Sequence, residues 1–173
     1  METNNWRGLF EQCLRYGFSN TEFNGDISKW NTKSATSMSV MFYHAHAFNQ
    51  PIANWNTSQV TDMSKMFGGA TKFNQPIENW NTSQVMNMDG LFYETESFDQ
   101  PLNNWDVSMV KSMEEIFEST MSFNRPLYKW DVSQVTSMMD LFEDANAFNR
   151  VLCTDITNFP PIGWDTLSVT NMS

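Results

Sequence analysis

Residues 48–70 read FNQPIANWNTSQVTDMSKMFGGA, and this stretch decides the fold because its apolar positions return every 25 residues along the chain. The phenylalanine that opens each unit occurs at Phe23, Phe48, Phe73, Phe98, Phe123 and Phe148. The other columns are Trp30, Trp55, Trp80, Trp105 and Trp130; Val60, Val85, Val110 and Val135; Met38, Met63, Met88, Met113 and Met138; and Phe42, Phe67, Phe92, Phe117 and Phe142. An asparagine or aspartate follows the opening phenylalanine in every unit, and this column is predicted to form an internal hydrogen-bonding ladder.

This spacing has a physical meaning, because a unit of 25 residues cannot bury its own apolar side chains. Stacking the units places Phe on Phe and Trp on Trp, and each fully buried large side chain then contributes roughly 1.5–3 kcal/mol. One deleted residue within a unit would move its columns out of line. The sequence therefore predicts a repeat solenoid with a continuous apolar core.

Local signals within a unit favour a short strand followed by a helical turn. A β-branched pair at Val60 and Thr61 predicts a strand at about 59–63. Ser64 can cap a helical turn at 64–69, and a second extended run is expected near 76–80, after a proline.

A rival interpretation stays open. Val60, Met63, Phe67 and Ala70 also fit one amphipathic helix that Ser58 would cap.

The chain divides into four parts on this pattern. Residues 1–22 predict a helical cap for the first unit, and residues 23–150 hold five repeats. Residues 151–163 interrupt the spacing as an insertion. Residues 164–173 form a partial repeat, nine residues late, and leave an open C-terminal edge.

Charge and composition exclude several classes of function. The 173 residues carry a net charge of −10 with ten Lys and Arg, which opposes binding to nucleic acid or to an anionic membrane. No apolar run is long enough for membrane insertion, and no secretory signal is visible. Cys13 and Cys153 are predicted too far apart to pair. An intracellular or virion setting is expected, or the cell surface if the N-terminus is incomplete.

The repeated motif of residues 48–70 resembles the BspA-like family, a leucine-rich-repeat-like group of bacterial surface proteins with relatives in protists and large DNA viruses. The resemblance covers about 23–150 and part of 164–172. It implies a leucine-rich-repeat-like solenoid with a short parallel strand and a short helical turn in each unit. It also implies a binding or adhesion role and carries no catalytic residues.

Acidic residues near the predicted helical turns form the first candidate site. They would stack into a stripe on one face, and the strongest members are Glu94, Glu114, Glu115, Glu118, Glu143 and Asp144. Asp89, Glu96 and Asp140 also lie near these turns. A solvated charged surface, a docking stripe for a basic partner and a calcium site are the three interpretations.

Two further contact candidates follow from variable positions. Met86, Met109 and Lys111 flank the valine column and would be exposed. Val169 and Met172 lie at the open edge. His44 and His46 are expected at the solvated surface, and the Asn56 and Asn81 sequons are expected to be turns.

No catalytic, cofactor or metal motif is present, so a non-enzymatic scaffold for protein–protein contacts is the leading hypothesis. A structural component of a larger assembly, such as a large DNA virus particle, and a cell-surface adhesin are the alternatives. The predicted partners are proteins, bound at the lateral face or at the open C-terminal edge.

Overall fold

The computed structural model describes residues 21–150, 152–155, 162–164 and 166–171. Within these ranges the chain forms no helix and two strands, β1 (Cys153–Asp155) and β2 (Ile162–Gly163), which pair antiparallel. Cys153 lies opposite Gly163 and Asp155 opposite Ile162. Both strands follow the repeats, so the described repeats are built from turns.

The predicted fold class is therefore wrong. A leucine-rich-repeat-like solenoid needs a strand and a helical turn in each unit, yet residues 59–63 hold one bridge residue, Asp62, and residues 64–69 are a run of turns. The rival amphipathic helix is wrong for the same reason. The predicted capping helix at 1–22 lies outside the described residues, apart from a turn at 21–22.

Backbone hydrogen bonds explain the absence of a helix in the turn segment, defined here as residues 64–69 and their equivalents. The N–H groups of Lys65, Phe67 and Gly69 donate to carbonyls of the next unit, at 2.8, 3.0 and 2.6 Å. The alternate N–H groups of Met66 and Gly68 donate three residues back, at 3.1 and 3.2 Å. A helical turn of residues 64–69 would instead pair Gly68 and Gly69 with carbonyls four residues back and would direct no N–H to a neighbouring unit.

Two positions in each turn segment also adopt a left-handed backbone that a helix excludes. The first column with positive φ is Val40, Lys65, Gly90, Glu115 and Asp140, and the second is His44, Gly69, Glu94, Ser119 and Asp144. Left-handed backbone costs roughly 1–2 kcal/mol at a residue with a Cβ. Glycine marks only Gly69 and Gly90, so this feature was hard to read from the sequence.

A single parallel bridge joins each described unit to the next. The bridge residues are Ser37, Asp62, Asn87, Ser112, Ser137 and Asn171. The ladder stays one residue wide because the turn segment begins just after each bridge residue. Since five successive bridges are parallel and the first four keep the 25-residue interval, neighbouring units lie in register.

The tryptophan column confirms that identical side chains stack. Ring centroids of Trp55 and Trp80, and of Trp80 and Trp105, lie 6.5 Å apart with planes within 5°. Trp164 continues the column on Trp130 at 6.2 Å. From Trp55 onward each indole N–H in the column also donates to a carbonyl of the previous unit, as Trp105 does to Ile77 at 3.1 Å. The column is therefore fixed by packing and by hydrogen bonds.

The two phenylalanine columns interleave to form the centre of the core. The ring of Phe67 lies 3.9 Å from that of Phe73, which opens the next unit, and 5.9 Å from that of Phe92, later in the same next unit. From Phe42 to Phe123 these rings are fully buried. Such pairs contribute about 0.5–1.5 kcal/mol beyond burial alone.

Polar side chains hold the corners of the units. Asn49 donates its backbone N–H to the side-chain oxygen of Asn24 at 2.9 Å, and Asn74 does the same to Asn49 at 3.0 Å. This confirms the predicted asparagine ladder.

The side chain of Asn56 accepts the N–H of Ser58 at 3.0 Å, so this sequon forms the predicted turn.

Candidate functional site

A cluster of carboxylates lies on the turn segments of three successive units. We call Glu94, Glu115, Glu118, Asp140 and Glu143 the acidic surface. Carboxylate oxygens of Glu118, Asp140 and Glu143 all lie within 4.8 Å of one another. Because the units are in register, acidic residues separated by about one repeat become neighbours.

Within the acidic surface, the carboxyl of Glu118 has a shifted pKa. Burial raises the pKa of its carboxyl, and the charges of Glu115, Glu143, Asp140 and Glu94 raise it further. The sole ion pair between the acidic surface and a described cation joins Lys65 to Glu115 at 3.5 Å. The surface is thus crowded with like charge.

Tyr93 borders the acidic surface and was missed by sequence reasoning. A hydrogen bond with the Glu94 carboxylate, together with burial, raises the pKa of the Tyr93 hydroxyl to about 12. Tyr93 therefore stays protonated and adds an aromatic ring to a charged surface. A signal was available, since Tyr43 and Tyr93 occupy the repeat position of Glu118 and Glu143.

Some predicted acidic residues lie apart from this surface. Glu114 is half-buried near the bridge ladder, where its carboxylate accepts a hydrogen bond from Ser137. Asp144 is exposed at the second left-handed position of its turn segment. Glu114 therefore bonds to a residue of the bridge ladder, whereas its neighbour Glu115 pairs with Lys65 of a turn segment.

The predicted methionine surface is exposed on the side of the bridge ladder. Met86 and Met109 expose 45% and 41% of their surface. The backbone N–H of Lys111 donates to Met86, at 2.9 Å, and the Lys111 ammonium donates to Gln134 at 2.8 Å. Met86 and Lys111 are therefore neighbours, and partner binding at Met86, Met109 and Lys111 stays a prediction.

A cavity of about 470 Å³ lies at the C-terminal end of the described stack. Its lining is Met138, Asp140, Leu141, Phe142, Glu143, Leu152, Trp164 and Thr166. Val169 is partly buried against the core nearby. Met172 falls outside the described residues. Sequence reasoning located this edge but missed Leu141 and Trp164 as its lining.

Comparison with known proteins assigns a family. Residues 10–89 and 75–173 match the model of a family described as Mycoplasma protein of unknown function, DUF285. The chain belongs to the DUF285 family. No curated protein matches this DUF285 chain at a significant level, and no solved structure does.

The histidines and cysteines of the DUF285 chain form no cluster among the described residues. His44 is half-buried with its ring 4.0 Å from that of Tyr43, whereas His46 is exposed. Cys13 lies outside the described residues, as does the side chain of Cys153. None of the described residues belongs to a helix that is long and apolar enough to cross a membrane.

Replacing Glu118 tests the electrostatics of the DUF285 acidic surface. The pKa of folded Glu118 is raised, so its charged form lowers stability at neutral pH, and this loss disappears as pH falls through the folded pKa. Glu118→Gln should raise the free energy of unfolding at pH 7 by up to about 1 kcal/mol. The difference in the free energy of unfolding between the two proteins should shrink as the pH falls towards 4.5, the ordinary pKa of a glutamate carboxyl.

Urea unfolding of both proteins between pH 4 and pH 8 measures this difference. Glu96→Gln is the matched control, because Glu96 is exposed and lies outside the turn segments. A Glu118→Gln protein that is less stable than wild type at pH 7 would contradict the assignment, as would a difference that does not change with pH.

Proposed function

We propose that this DUF285 protein is a non-enzymatic repeat scaffold whose acidic surface binds a basic segment of a protein partner. The observation that carries the proposal is the convergence of Glu118, Asp140 and Glu143, with carboxylate oxygens within 4.8 Å. Burial and neighbouring negative charge raise the pKa of Glu118, so these carboxylates repel one another. Lysine or arginine side chains from a partner would relieve this repulsion.

The neighbouring aromatic ring supports a protein partner in particular. Tyr93 is half-buried beside Glu94 and keeps its hydroxyl proton through neutral pH. Tyrosine is enriched at protein interfaces, where it presents apolar area and a polar tip. Acidic groups around an aromatic ring suit a partner segment that combines basic and apolar residues.

We also propose that the chain belongs to the BspA-like group within its family. The support is the motif of residues 48–70, which recurs in register through the repeats. The predicted roles as a virion component and as a cell-surface adhesin stay predictions.

A charge-matched pair of variants tests the binding role. The first carries Glu118→Gln, Asp140→Asn and Glu143→Gln. The second carries Asp26→Asn, Asp106→Asn and Asp131→Asn, where asparagine keeps the turn as it does at Asn56 and Asn81. Each variant removes three negative charges, so the net charge changes from −10 to −7 in both.

The three proteins are first titrated with a lysine-rich peptide that contains one tyrosine and are then used for affinity capture from native extract. We expect the first variant to bind about tenfold more weakly than wild type, since three contacts of about 0.5 kcal/mol each sum to that ratio. The second variant should bind like wild type, and binding should weaken with salt. Equal weakening in both variants would leave net charge as the cause and would overturn the proposal.

A further inference from the structure

The asparagine ladder polarises the side-chain amide of Asn24. The side-chain oxygen Oδ1 of Asn24 accepts two hydrogen bonds from the next unit, one from the backbone N–H of Asn49 at 2.9 Å and one from Nε2 of Gln50 at 3.0 Å. Two donors on a carbonyl oxygen stabilise the negative charge that develops there when a nucleophile attacks the carbonyl carbon. Asn24 is exposed, so water reaches this amide.

Gly25 supplies a nucleophile beside that amide. The backbone nitrogen after an asparagine can attack the side-chain carbon Cγ, and a side chain on the attacking residue hinders the approach. Glycine has no side chain and the widest range of backbone conformations. The sequence contains one Asn-Gly pair, at 24–25, whereas the other ladder asparagines precede glutamine or arginine. Gly25 is also exposed, and no carbonyl of the described residues accepts its N–H.

Asn49 has the same ladder contacts as Asn24 but a different neighbour. Its Oδ1 accepts the backbone N–H of Asn74 at 3.0 Å and Nε2 of Gln75 at 2.9 Å. The residue that follows it is Gln50, whose side chain lies next to the attacking nitrogen. Asn49 is exposed as well. A difference in reactivity between Asn24 and Asn49 therefore reports the effect of the glycine.

The pair Asp89–Gly90 has the glycine but lacks a free nitrogen. An aspartate before glycine can close the same ring with loss of water in place of ammonia. Gly90, however, is buried with positive φ, and its N–H donates to the carbonyl of Glu114 at 2.7 Å. The N–H of Glu114 in turn donates to the Asp89 carboxylate at 2.9 Å. The stacked unit therefore protects this pair.

We propose that Asn24 is a site of spontaneous deamidation, in which the Gly25 nitrogen attacks Cγ and the ladder donors stabilise the charge on Oδ1. The Gly25 nitrogen loses its proton to hydroxide and forms a bond to Cγ of Asn24. The bond from Cγ to Nδ2 then breaks, and Nδ2 takes a proton from water and leaves as ammonia. The product of this step is a succinimide ring.

Water then opens the ring at either of its carbonyl carbons. Cleavage between the Gly25 nitrogen and Cγ gives aspartate. Cleavage between the same nitrogen and the backbone carbonyl carbon gives isoaspartate, in which the main chain continues through the side chain. In sum the amide and one water become a carboxylate and an ammonium ion, and nothing is oxidised or reduced. One negative charge is added to the net charge of −10.

The two products have different effects on the first repeat. Aspartate keeps the ladder, because Asp99 accepts the N–H of Asn124 at 3.0 Å in the same way. Isoaspartate lengthens the main chain by one carbon directly after Phe23, whose ring lies 5.9 Å from that of Phe48. The first repeat then loses its register with the second. The proposal goes beyond the proposed function, since it requires no partner.

Mass-spectrometric peptide mapping of the full chain, incubated at mildly alkaline pH, locates and counts the deamidated residues. Labelling with an isoaspartyl methyltransferase identifies isoaspartate. We expect Asn24 to react at least about tenfold faster than Asn49, because only Gly25 leaves the attacking nitrogen unhindered. Asp89 should form isoaspartate in urea and not in the folded chain, because the folded backbone protects it.

Two variants separate the glycine from the ladder. Gly25→Gln copies the residue that the next three units carry at this position, and a Cβ there would lie 3.3 Å from the half-buried ring of Phe23, which needs only a small shift. Reaction at Asn24 should then fall to the rate of Asn49. Gln50→Ala removes one donor from Oδ1 and should slow the reaction about two- to tenfold. Circular dichroism checks that both variants fold.

Three outcomes would overturn the proposal. The first is an equal rate at Asn24 and Asn49 in the wild-type chain. The second is an unchanged rate at Asn24 in Gly25→Gln. The third is a reaction in Gln50→Ala that is as fast as in wild type or faster, which would mean that the ladder restrains Asn24 and does not activate it.

Discussion

Deletion of the single exposed residue Gln84 is expected to unfold much of this protein, whereas removal of all 25 residues from 76 to 100 is expected to leave it folded. Gln84 lies between Trp80 and Val85, two members of buried columns. Shortening this link by one residue leaves the unit unable to place both side chains in register. Two or three large side chains then lose burial, which costs about 3–9 kcal/mol at roughly 1.5–3 kcal/mol each.

That loss is comparable with the total stability of a typical domain, about 5–15 kcal/mol. Removal of residues 76–100 joins Gln75 to Pro101, and the sequence across the junction keeps the order of an ordinary unit. The columns stay in line because a whole repeat is lost. The cost is one unit-to-unit interface, and a repeat protein loses stability by such increments.

Circular dichroism, tryptophan fluorescence and urea unfolding compare wild type with the two deletions. The 25-residue deletion should keep a cooperative transition at a lower midpoint, and the one-residue deletion should lose it or unfold at far lower urea. The stacking interpretation fails if the one-residue deletion is the more stable of the two proteins.

Substitution of Phe92 by alanine is expected to lower the free energy of unfolding by about 3–5 kcal/mol. Phe92 is fully buried, and its ring lies 4.1 Å from that of Phe98 and 5.8 Å from that of Phe117. The ring also lies 5.9 Å from that of Phe67, so it contacts rings of the unit before its own and of the unit after it. Its removal leaves a cavity that a close-packed stack cannot close.

Phe92→Leu and Glu96→Ala are the matched controls. Leucine keeps much of the buried volume and should lose less stability than alanine, and Glu96 is exposed, so its truncation should change the free energy of unfolding by less than about 0.5 kcal/mol. Urea unfolding measures all three proteins. A loss below about 1 kcal/mol for Phe92→Ala would show that the phenylalanine columns do not hold the units together.

Sequence reasoning predicted the packing of the core from particular residues. Trp55, Trp80 and Trp105 recur without slip, and their rings stack as expected. Large apolar side chains at a fixed interval can be buried together only if the units align, so the interval alone indicates the register. The asparagine ladder was predictable for the same reason.

Local backbone structure could not be predicted in the same way. The run from Ser64 to Gly69 satisfies the residue preferences of a helical turn, yet its alternate N–H groups donate to the next unit. Those acceptors exist only once the units have stacked. Lys65 adopts positive φ although nothing in its residue type indicates this.

The candidate site was likewise predictable in part. The sequence placed Glu118, Asp140 and Glu143 on successive units, and their proximity follows from register. It could not show that Glu114 bonds to Ser137 whereas Glu115 pairs with Lys65, because both partners lie in other units. It also could not show that Leu141, Phe142 and Trp164 surround one cavity.

The sequence by itself determined which side chains are buried and which units are neighbours, because the 25-residue interval of Phe, Trp and Met admits one alignment. Only the tertiary structure decided the path of the backbone between those side chains. Hydrogen bonds from one unit to the next compete with those of a helix, and the stacked neighbour supplies carbonyl acceptors that no isolated segment contains.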